Sequence, residues 1–311
     1  MRRTTLVVIL IALAIGASLF VRASGRRPVI GFAYARTGAA YLDLARSALA
    51  ERGVAIPEFV HDSVSPQETS DGALAQAAAF VDRNDVAVVV GPSNSRHALA
   101  TAPAYNAAGL SHIVPSATSR RLRDAGGATF TLVPDDSVEG DFLARFGRHT
   151  LQARRAVVFY VNDEYGEGLR AGIVATFGAI GGVMEEAIPI GEEMDVATLM
   201  ASVMRRHRPD VIFSAARSYE TGRLLGAARQ YAPGVPVVAG DGAYLPAQPE
   251  RFAGGDLSGL YVLSFWVYDS TDASHRAFAD RVRRILGTEP TPEDALTEDA
   301  LGLATALRST A

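Results

Sequence analysis

Short apolar runs, rich in valine and isoleucine, alternate along the chain with longer segments whose apolar residues recur every three or four positions. Runs of the first kind are typical of buried parallel strands, and segments of the second kind are typical of amphipathic helices. The pattern predicts strands at residues 29–34, 56–60, 86–90, 111–114, 129–133, 156–161, 183–190, 211–215, 235–239 and 260–266. It predicts helices at residues 37–52, 65–83, 96–108, 137–150, 167–180, 196–206, 220–231, 274–286 and 292–308.

This alternation predicts an α/β fold, because repeated strand–helix–strand units with right-handed crossovers build parallel sheets covered by helices. The pattern restarts after the turn-rich stretch Pro134-Asp135-Asp136, and a second crossing is expected near residues 264–269. We therefore predict two doubly wound parallel-sheet lobes. The N-terminal lobe comprises residues 26–134 and 267–311, and the C-terminal lobe comprises residues 135–266.

The start of the chain has the pattern of an export signal. Arg2 and Arg3 precede an apolar run over residues 6–21, and the small residue Ala23 follows. A charged start, an apolar stretch shorter than a bilayer span and a small residue are typical of a cleaved secretory signal. We predict a signal peptide over residues 1–23 and a periplasmic or extracytoplasmic location, with an uncleaved membrane anchor as the alternative.

The composition excludes several classes of chemistry. The chain has 311 residues and no Cys, and its 30 positively charged residues are all Arg because Lys is absent. It therefore has no P-loop lysine, Schiff-base lysine, thiol nucleophile or thiolate metal site. Its net charge of −4 gives no footprint for nucleic acid. We predict no cofactor, no bound metal and no nucleic-acid partner.

Catalytic motifs are incomplete. Gly91-Pro92-Ser93-Asn94-Ser95 approaches the nucleophile elbow of hydrolases, but Ser95 stands where that motif needs its last glycine. No glycine-rich dinucleotide motif follows a predicted strand, and the six His residues include no pair spaced four apart. The sequence therefore favours a protein that is not an enzyme, and a hydrolase that uses Ser93 is retained as an alternative.

Polar residues cluster where predicted strands end, and ligands of open α/β sheets bind at the carboxyl ends of strands. Ser95 and Thr118 follow two neighbouring strands of the first lobe, and a helix begins beside Ser95. Hydroxyl groups and a helix N-terminus together can hold an anion. Asp241 follows a strand of the second lobe and can accept hydrogen bonds from a cation. A zwitterion would suit both sites, although ordinary Gly/Ser/Pro turns have a similar composition.

Several of these stretches carry a family resemblance. They are Val90-Gly91-Pro92-Ser93-Asn94-Ser95, Val114-Pro115-Ser116-Ala117-Thr118, Asn162-Asp163-Glu164-Tyr165-Gly166-Glu167-Gly168-Leu169, Gly240-Asp241-Gly242 and Asp62-Ser63-Val64-Ser65-Pro66. With them the chain resembles, over residues 29–306, the type I periplasmic binding proteins, specifically the branched-chain amino-acid (Leu/Ile/Val) substrate-binding family of ABC transporters. The resemblance implies two lobes joined by a hinge, with a ligand captured between them on closure.

The resemblance also implies roles for particular residues. Ser95 and Thr118 would hold a ligand carboxylate, and the Ser116 carbonyl and Asp241 would meet its ammonium group. The aromatic residues implied at the site are Tyr165, which would cover the ligand from the second lobe, and Tyr41, which the first lobe supplies. The ligand-binding set implied by the resemblance is Ser95, Ser116, Ala117, Thr118, Tyr165, Arg217, Asp241 and Tyr41.

Two features depart from the family pattern. Arg217 stands where many leucine binders have an aromatic residue, and it could pair with a second ligand carboxylate or with Asp241. The chain is also short at its C-terminus compared with the family, so a piece of the second lobe or hinge is expected to be absent.

The sequence thus predicts an extracytoplasmic solute-binding protein of an ABC importer. It would capture an amino acid or a similar small carboxylate by hinge closure and then dock on a membrane permease. The alternative is a membrane-tethered ligand-sensing domain of a signalling or regulatory system.

Overall fold

A computed structural model describes residues 29–34, 38–61, 70–244 and 255–309. The chain divides into two compact units, of which the first comprises the segments up to Val133 and from Tyr268 onward, and the second comprises Pro134–Val267. Within the described ranges, no helix is both long and apolar enough to span a bilayer. The predicted signal peptide at residues 1–23 and the stretch at residues 62–66 lie outside these ranges.

The first unit is built on a parallel sheet of five described strands in the order β2-β1-β3-β4-β5. The strands are β1 (Val29–Phe32), β2 (Phe59–His61), β3 (Val86–Val90), β4 (Ser111–Val114) and β5 (Thr129–Thr131). The helices are α1 (Gly38–Glu51), α2 (Ser70–Val81) and α3 (Ser95–Ala107), and then, after the whole second unit, α8 (Ala273–Leu286) and α9 (Pro292–Ser309).

Residues of β3 face both sides of this sheet, and the register of β3 against β1 shifts between Val86 and Val88. Val88 and Val90 belong to a buried cluster that contains residues of α1 and α9, including Leu301. Val86 and Val89 belong to a second cluster that contains Phe80 of α2 and Tyr105 of α3. The sheet is therefore covered on both faces, which explains why β3 reads as an uninterrupted apolar run.

A buried arginine joins the late helices to the first one. Arg281 of α8 is only 6% exposed, and its guanidinium contacts Glu51 of α1 at 2.6 Å and Glu298 of α9 at 2.7 Å. Burying one charge without its partners would be costly, so this network specifies how the three helices pack.

The second unit has its own parallel sheet of five described strands in the order β10-β9-β8-β6-β7. The strands are β6 (Arg155–Val161), β7 (Val183–Ile190), β8 (Val211–Ala215), β9 (Val237–Ala239) and β10 (Leu260–Val262). The flanking helices are α4 (Asp136–Arg145), α5 (Glu164–Ala179), α6 (Val196–Arg206) and α7 (Ser218–Tyr231). Two parallel sheets with flanking helices confirm the predicted fold class.

The structure corrects several predicted element bounds. The predicted strand at residues 260–266 ends at Val262, because the Ser264 hydroxyl bonds to the main chain of Trp266 and diverts the backbone from the ladder. The predicted helix at residues 137–150 is α-helical only as far as Arg145, and the next residues form a wider π turn. The helix predicted to begin at residue 167 begins instead at Glu164.

Candidate functional site

In the first unit, the loops after β3 and β4 leave the same edge of the sheet, because Val90 pairs with Ile113 in parallel register. Asn94 caps α3 by accepting a hydrogen bond from the backbone N–H of His97 at 2.9 Å. This cap ends the β3 loop and places Ser95 in the first turn of the helix. The sequence thus positions a hydroxyl group beside the first backbone N–H groups of a helix.

Two predicted residues present buried hydroxyl groups at this edge. Ser95 is 3% exposed, and its Oγ accepts a hydrogen bond from the backbone N–H of Ser119 at 3.3 Å. Thr118 is 2% exposed, and its Oγ1 has no hydrogen-bond partner within the described part of the chain. Both hydroxyl protons can therefore be donated to an acceptor, and a carboxylate is an acceptor of that kind.

The two other loop residues of the predicted set support this edge. The Ser116 hydroxyl donates to the carbonyl of Ser93 at 3.2 Å and ties the two loops together. Ala117 is buried and packs in a small apolar cluster with Ala98 and Leu122. The Ala117 side chain therefore anchors the loop in the unit, and only its main chain has polar atoms to offer.

Tyr41 lies on α1, half-buried, with its ring centroid 5.8 Å from that of Tyr34. The Tyr34 hydroxyl hydrogen-bonds to Thr297 of α9 at 2.9 Å. Burial, together with the negative charge of Glu293, raises the pKa of Tyr41 well above its usual range. Tyr41 therefore stays neutral and offers an aromatic surface with a hydroxyl group.

Ser93 does not have the surroundings of a catalytic nucleophile. Its hydroxyl hydrogen-bonds with the side chains of Tyr34 and Glu293. Neither partner is the histidine base that activates serine in the familiar hydrolase triads.

In the second unit, three predicted residues come together after β6, β8 and β9. Tyr165 lies in the first turn of α5, Arg217 directly precedes α7, and Asp241 begins a short 3-10 turn after β9. The Tyr165 hydroxyl accepts a hydrogen bond from the backbone N–H of Gly242 at 3.0 Å and bonds to the Asp241 carboxyl. Burial, with the adjacent charge of Asp241, raises the pKa of Tyr165 well above its usual range, so it donates to that carboxylate as a neutral phenol.

The glycine after Tyr165 is needed for close packing. A Cβ atom on Gly166 would lie 2.1 Å from the carbonyl oxygen of Val161, a separation that real side chains do not show. Asp163 begins the helix at this point, because its Oδ1 accepts hydrogen bonds from the backbone N–H groups of Tyr165 and Gly166, each at 3.1 Å. The motif therefore sets Tyr165 close against the end of β6.

Arg217 has a partner that the sequence did not indicate. Its guanidinium lies 2.8 Å from Oδ2 of Asp163 and 5.3 Å from the centre of the Tyr165 ring. Asp163 thus uses one carboxylate oxygen to cap α5 and the other to hold Arg217. The Arg217 side chain is still 42% exposed, so some of its donors face solvent.

The structure adds two buried acids to this cluster that the sequence analysis missed. Asp136 and Glu139 of α4 are each 1% exposed. Glu139 Oε1 accepts a hydrogen bond from the backbone N–H of Asp241 at 2.8 Å. Burial raises the pKa of Asp241 to about 6, and burial with repulsion from Asp241 raises the pKa of Glu139 well above its usual range. The spacing of Asp136 and Glu139 on one helix face was the only sequence signal for this pair.

A family model described as "Periplasmic binding protein" matches residues 33–308. An amino acid binding protein of Pseudomonas aeruginosa is 25% identical over 172 residues, which cover 54% of this chain and 44% of that relative. The matched stretch therefore spans less than half the length of that protein.

Two solved structures are similar over most of the chain. One is the branched-chain amino acid transporter substrate binding protein of Streptococcus pneumoniae in complex with isoleucine, with a TM-score of 0.78, 21% identity and coverage of 92% of this chain and 87% of that chain. The other is an ABC transporter substrate-binding protein of Desulfitobacterium hafniense in complex with Leu, with a TM-score of 0.73, 26% identity and coverage of 91% and 84%.

Proposed function

Since this chain belongs to the type I periplasmic binding protein family, we propose that it is the substrate-binding component of an ABC importer and captures an amino acid or a similar small carboxylate by hinge closure. The family is one of binding proteins that work outside the cytoplasm. The resemblance identified from the sequence is thus confirmed at the level of the family.

The proposed ligand class, an amino acid or a similar small carboxylate, rests on the polar groups found at the strand ends of the two units. The strand edge of the first unit offers buried hydroxyl donors, and that of the second unit offers a buried carboxylate acceptor. Ser95 and Thr118 suit a ligand carboxylate, and the positive end of the α3 dipole beside Ser95 favours an anion. Asp241 suits a ligand ammonium group, because a buried carboxylate needs a positive partner. An α-amino acid carries both groups on one carbon.

The remaining residues of the set are proposed to shape the site. Tyr165 would cover the ligand while its hydroxyl holds Asp241 in place, and Tyr41 would supply an aromatic surface from the first unit. Arg217, held by Asp163 over the Tyr165 ring, would offer its exposed donors to a second acidic group on the ligand.

The proposal is tested by a thermal-shift panel of amino acids and small carboxylates on the purified protein, followed by calorimetry on the ligands that raise the melting temperature. A bound ligand stabilises the fold by mass action, so true ligands shift the transition in a concentration-dependent way. A panel in which no amino acid or small carboxylate shifts the transition at millimolar concentration would refute the proposed ligand class.

Asp241→Asn is expected to weaken amino-acid binding by about 2–5 kcal/mol, because it leaves a ligand ammonium group without its charged partner. Asp256→Asn, at an exposed position of the same unit, is the matched control and should bind normally. Leucine, 3-methylbutylamine and 4-methylpentanoate form a useful set, because each of the last two lacks one charged group of leucine. If Asp241→Asn weakened the acid as much as the amine, Asp241 would not be the ammonium acceptor.

A further inference from the structure

Glu139 has a place in the second unit that its sequence position does not suggest. It lies in the first turn of α4, is 1% exposed, and accepts a hydrogen bond through Oε1 from the backbone N–H of Asp241 at 2.8 Å. The two residues are 102 positions apart in the sequence. Glu139 therefore fixes the backbone of the residue proposed to receive the ligand ammonium group.

Each of the two carboxyl groups, those of Glu139 and Asp241, has one buried oxygen without a hydrogen-bond partner among the described residues. These oxygens are Glu139 Oε2 and Asp241 Oδ1. Two ionised carboxylates can only accept hydrogen bonds, so they cannot satisfy each other. A single proton on one of them turns that group into a donor, and the pair can then form a side-chain hydrogen bond.

The groups around Glu139 and Asp241 favour a state in which the two carboxyl groups together hold one proton. Burial is the largest cause that raises the pKa of both groups, and repulsion from Asp241 and Asp136 raises that of Glu139 further. The Tyr165 hydroxyl and the charge of Arg217 act in the other direction on Asp241. Arg217 is already ion-paired with Asp163, so the cluster still lacks positive charge.

We propose that Glu139 and Asp241 share one proton in the ligand-free protein and that a ligand ammonium group displaces this proton to solvent when it binds. The inference rests on the proposed function and identifies the group that this part of the site selects as a cationic nitrogen. The charges balance, because one positive ligand group enters as one proton leaves. Glu139 acts as a positioning residue and proton reservoir, while Asp241 touches the ligand.

An organic cation fits this cluster better than a metal ion. Within the described residues, no group of three or more His, Asp or Glu side chains is arranged to hold a metal. Donors already use part of the acceptor capacity of these carboxyl groups, because the backbone N–H of Asp241 donates to Glu139 and the neutral Tyr165 hydroxyl donates to Asp241. Calcium is nevertheless a useful competing probe in the test.

The ligand-free part of the test compares melting temperatures of the full-length protein between pH 5 and 8. Glu139→Gln keeps the acceptor for the Asp241 N–H but cannot ionise. Because the native state holds a proton that the unfolded state releases, wild-type stability should be lost as the pH rises above the ordinary carboxyl range. The melting temperature of Glu139→Gln relative to wild type should therefore increase with pH. Asp141→Asn, partly exposed on the same helix, is the control and should follow wild type.

The ligand part uses calorimetry of leucine binding in phosphate and Tris buffers, whose different ionisation enthalpies reveal the protons released. Wild type and Asp141→Asn should release up to about one proton per leucine bound, and Glu139→Gln should release close to none. Proton release by calcium but not by leucine would overturn the choice of an ammonium group.

Failure of the shared-proton inference and failure of the proposed function give different experimental results. Leucine binding without proton release in wild type would overturn this inference and leave the proposed function standing. If no amino acid bound, the proposed function would fail, and the pH profile of Glu139→Gln would still decide whether the proton is shared. Parallel profiles of wild type and Glu139→Gln would refute the shared proton.

Discussion

At the scale of single residues, a buried histidine in the first unit is held neutral by its partners. His112 on β4 has no exposed surface, and its Nε2 lies 2.9 Å from the carbonyl oxygen of Gly91. A carbonyl can only accept, so Nε2 carries the proton, and Nδ1 is left to accept from the Thr129 hydroxyl at 3.3 Å. Burial lowers the pKa of His112 to about 4. The residue therefore supports the loop that leads to Ser95 without any positive charge.

This burial predicts a pH-dependent stability. Unfolded His binds a proton below its ordinary pKa, whereas native His112 does so only near pH 4, so stability is present at neutral pH and is lost as the pH falls from about 6.5 to 4. The loss attributable to this residue is about 3 kcal/mol. Denaturant unfolding of wild type and His112→Gln across this window should show it, because the difference between them changes with pH. His149→Gln, at an exposed position, should run parallel to wild type.

At the scale of secondary-structure elements, α4 and α5 pack unusually closely, and this contact carries Glu139 and Tyr165 into one cluster. A Cβ atom on Gly140 of α4 would lie 2.7 Å from backbone atoms of Gly172 and Ile173 of α5. Backbone cannot yield as a flexible side chain does, so even one methyl group would push the helices apart.

Gly140→Ala is therefore expected to destabilise the second unit by about 1–3 kcal/mol, despite the better helix propensity of alanine. Gly178→Ala on α5 is the matched control, because a Cβ there meets nothing within 4 Å. That substitution should be neutral or stabilising by up to about 1 kcal/mol. Denaturant unfolding of both variants measures the contrast. An equal effect in both would mean that α4 and α5 can separate without cost.

The bounds of an element could be predicted from the sequence where residues in that segment itself mark both of its ends. Strands 86–90, 183–190 and 211–215 were predicted with their observed bounds, because their apolar runs or turn residues mark both ends. The start of α5 was missed because the cap by Asp163 depends on backbone hydrogen bonds that periodicity does not register. Strand-end reasoning selected Asp241, and the family resemblance implied Tyr165 and Arg217. The three residues lie together, and their roles in binding remain predictions.

The rest of the cluster could not be predicted, because it depends on contacts between distant parts of the chain. Glu139 reads as an ordinary polar residue of a helix, and only the fold brings it to the backbone of Asp241. The ion pair of Arg217 with Asp163 likewise joins the ends of β6 and β8, which are separated by a helix, a strand and a second helix.

At the scale of the whole molecule, the two units differ in continuity. The hydrophobic core of the second unit draws on residues between Leu143 and Leu263, all within one stretch of chain. The core of the first unit joins Ile30, Phe32 and Val90 to Leu301 and Leu307 of α9.

The pH effects expected for His112 and for the Glu139–Asp241 pair have opposite signs. Acid lowers the stability of the first unit through His112 and raises the stability of the second unit through the shared proton.

Because the core of the second unit comes from one stretch of chain and that of the first unit comes from two, we expect fragments of the two units to differ in whether they fold alone. A fragment of residues 134–267 should fold with a cooperative thermal transition, because it contains its entire core. A fragment of residues 29–133 should not, because it lacks α8 and α9. Circular dichroism and amide chemical-shift dispersion measure both outcomes. A cooperatively folded fragment 29–133 would show that α9 is dispensable to the first core.

The discontinuity of the first unit also fixes an order of maturation. As the polypeptide emerges from its N-terminus onward, the half that begins later is the first to be completed. The sheet face that carries Ile30 and Phe32 remains exposed to water until α9, with Leu301 and Leu307, has been synthesised and packs against it. A nonsense mutation that removes α9 would therefore leave a molecule with its late-made half native and its early-made half exposed to proteases and to aggregation.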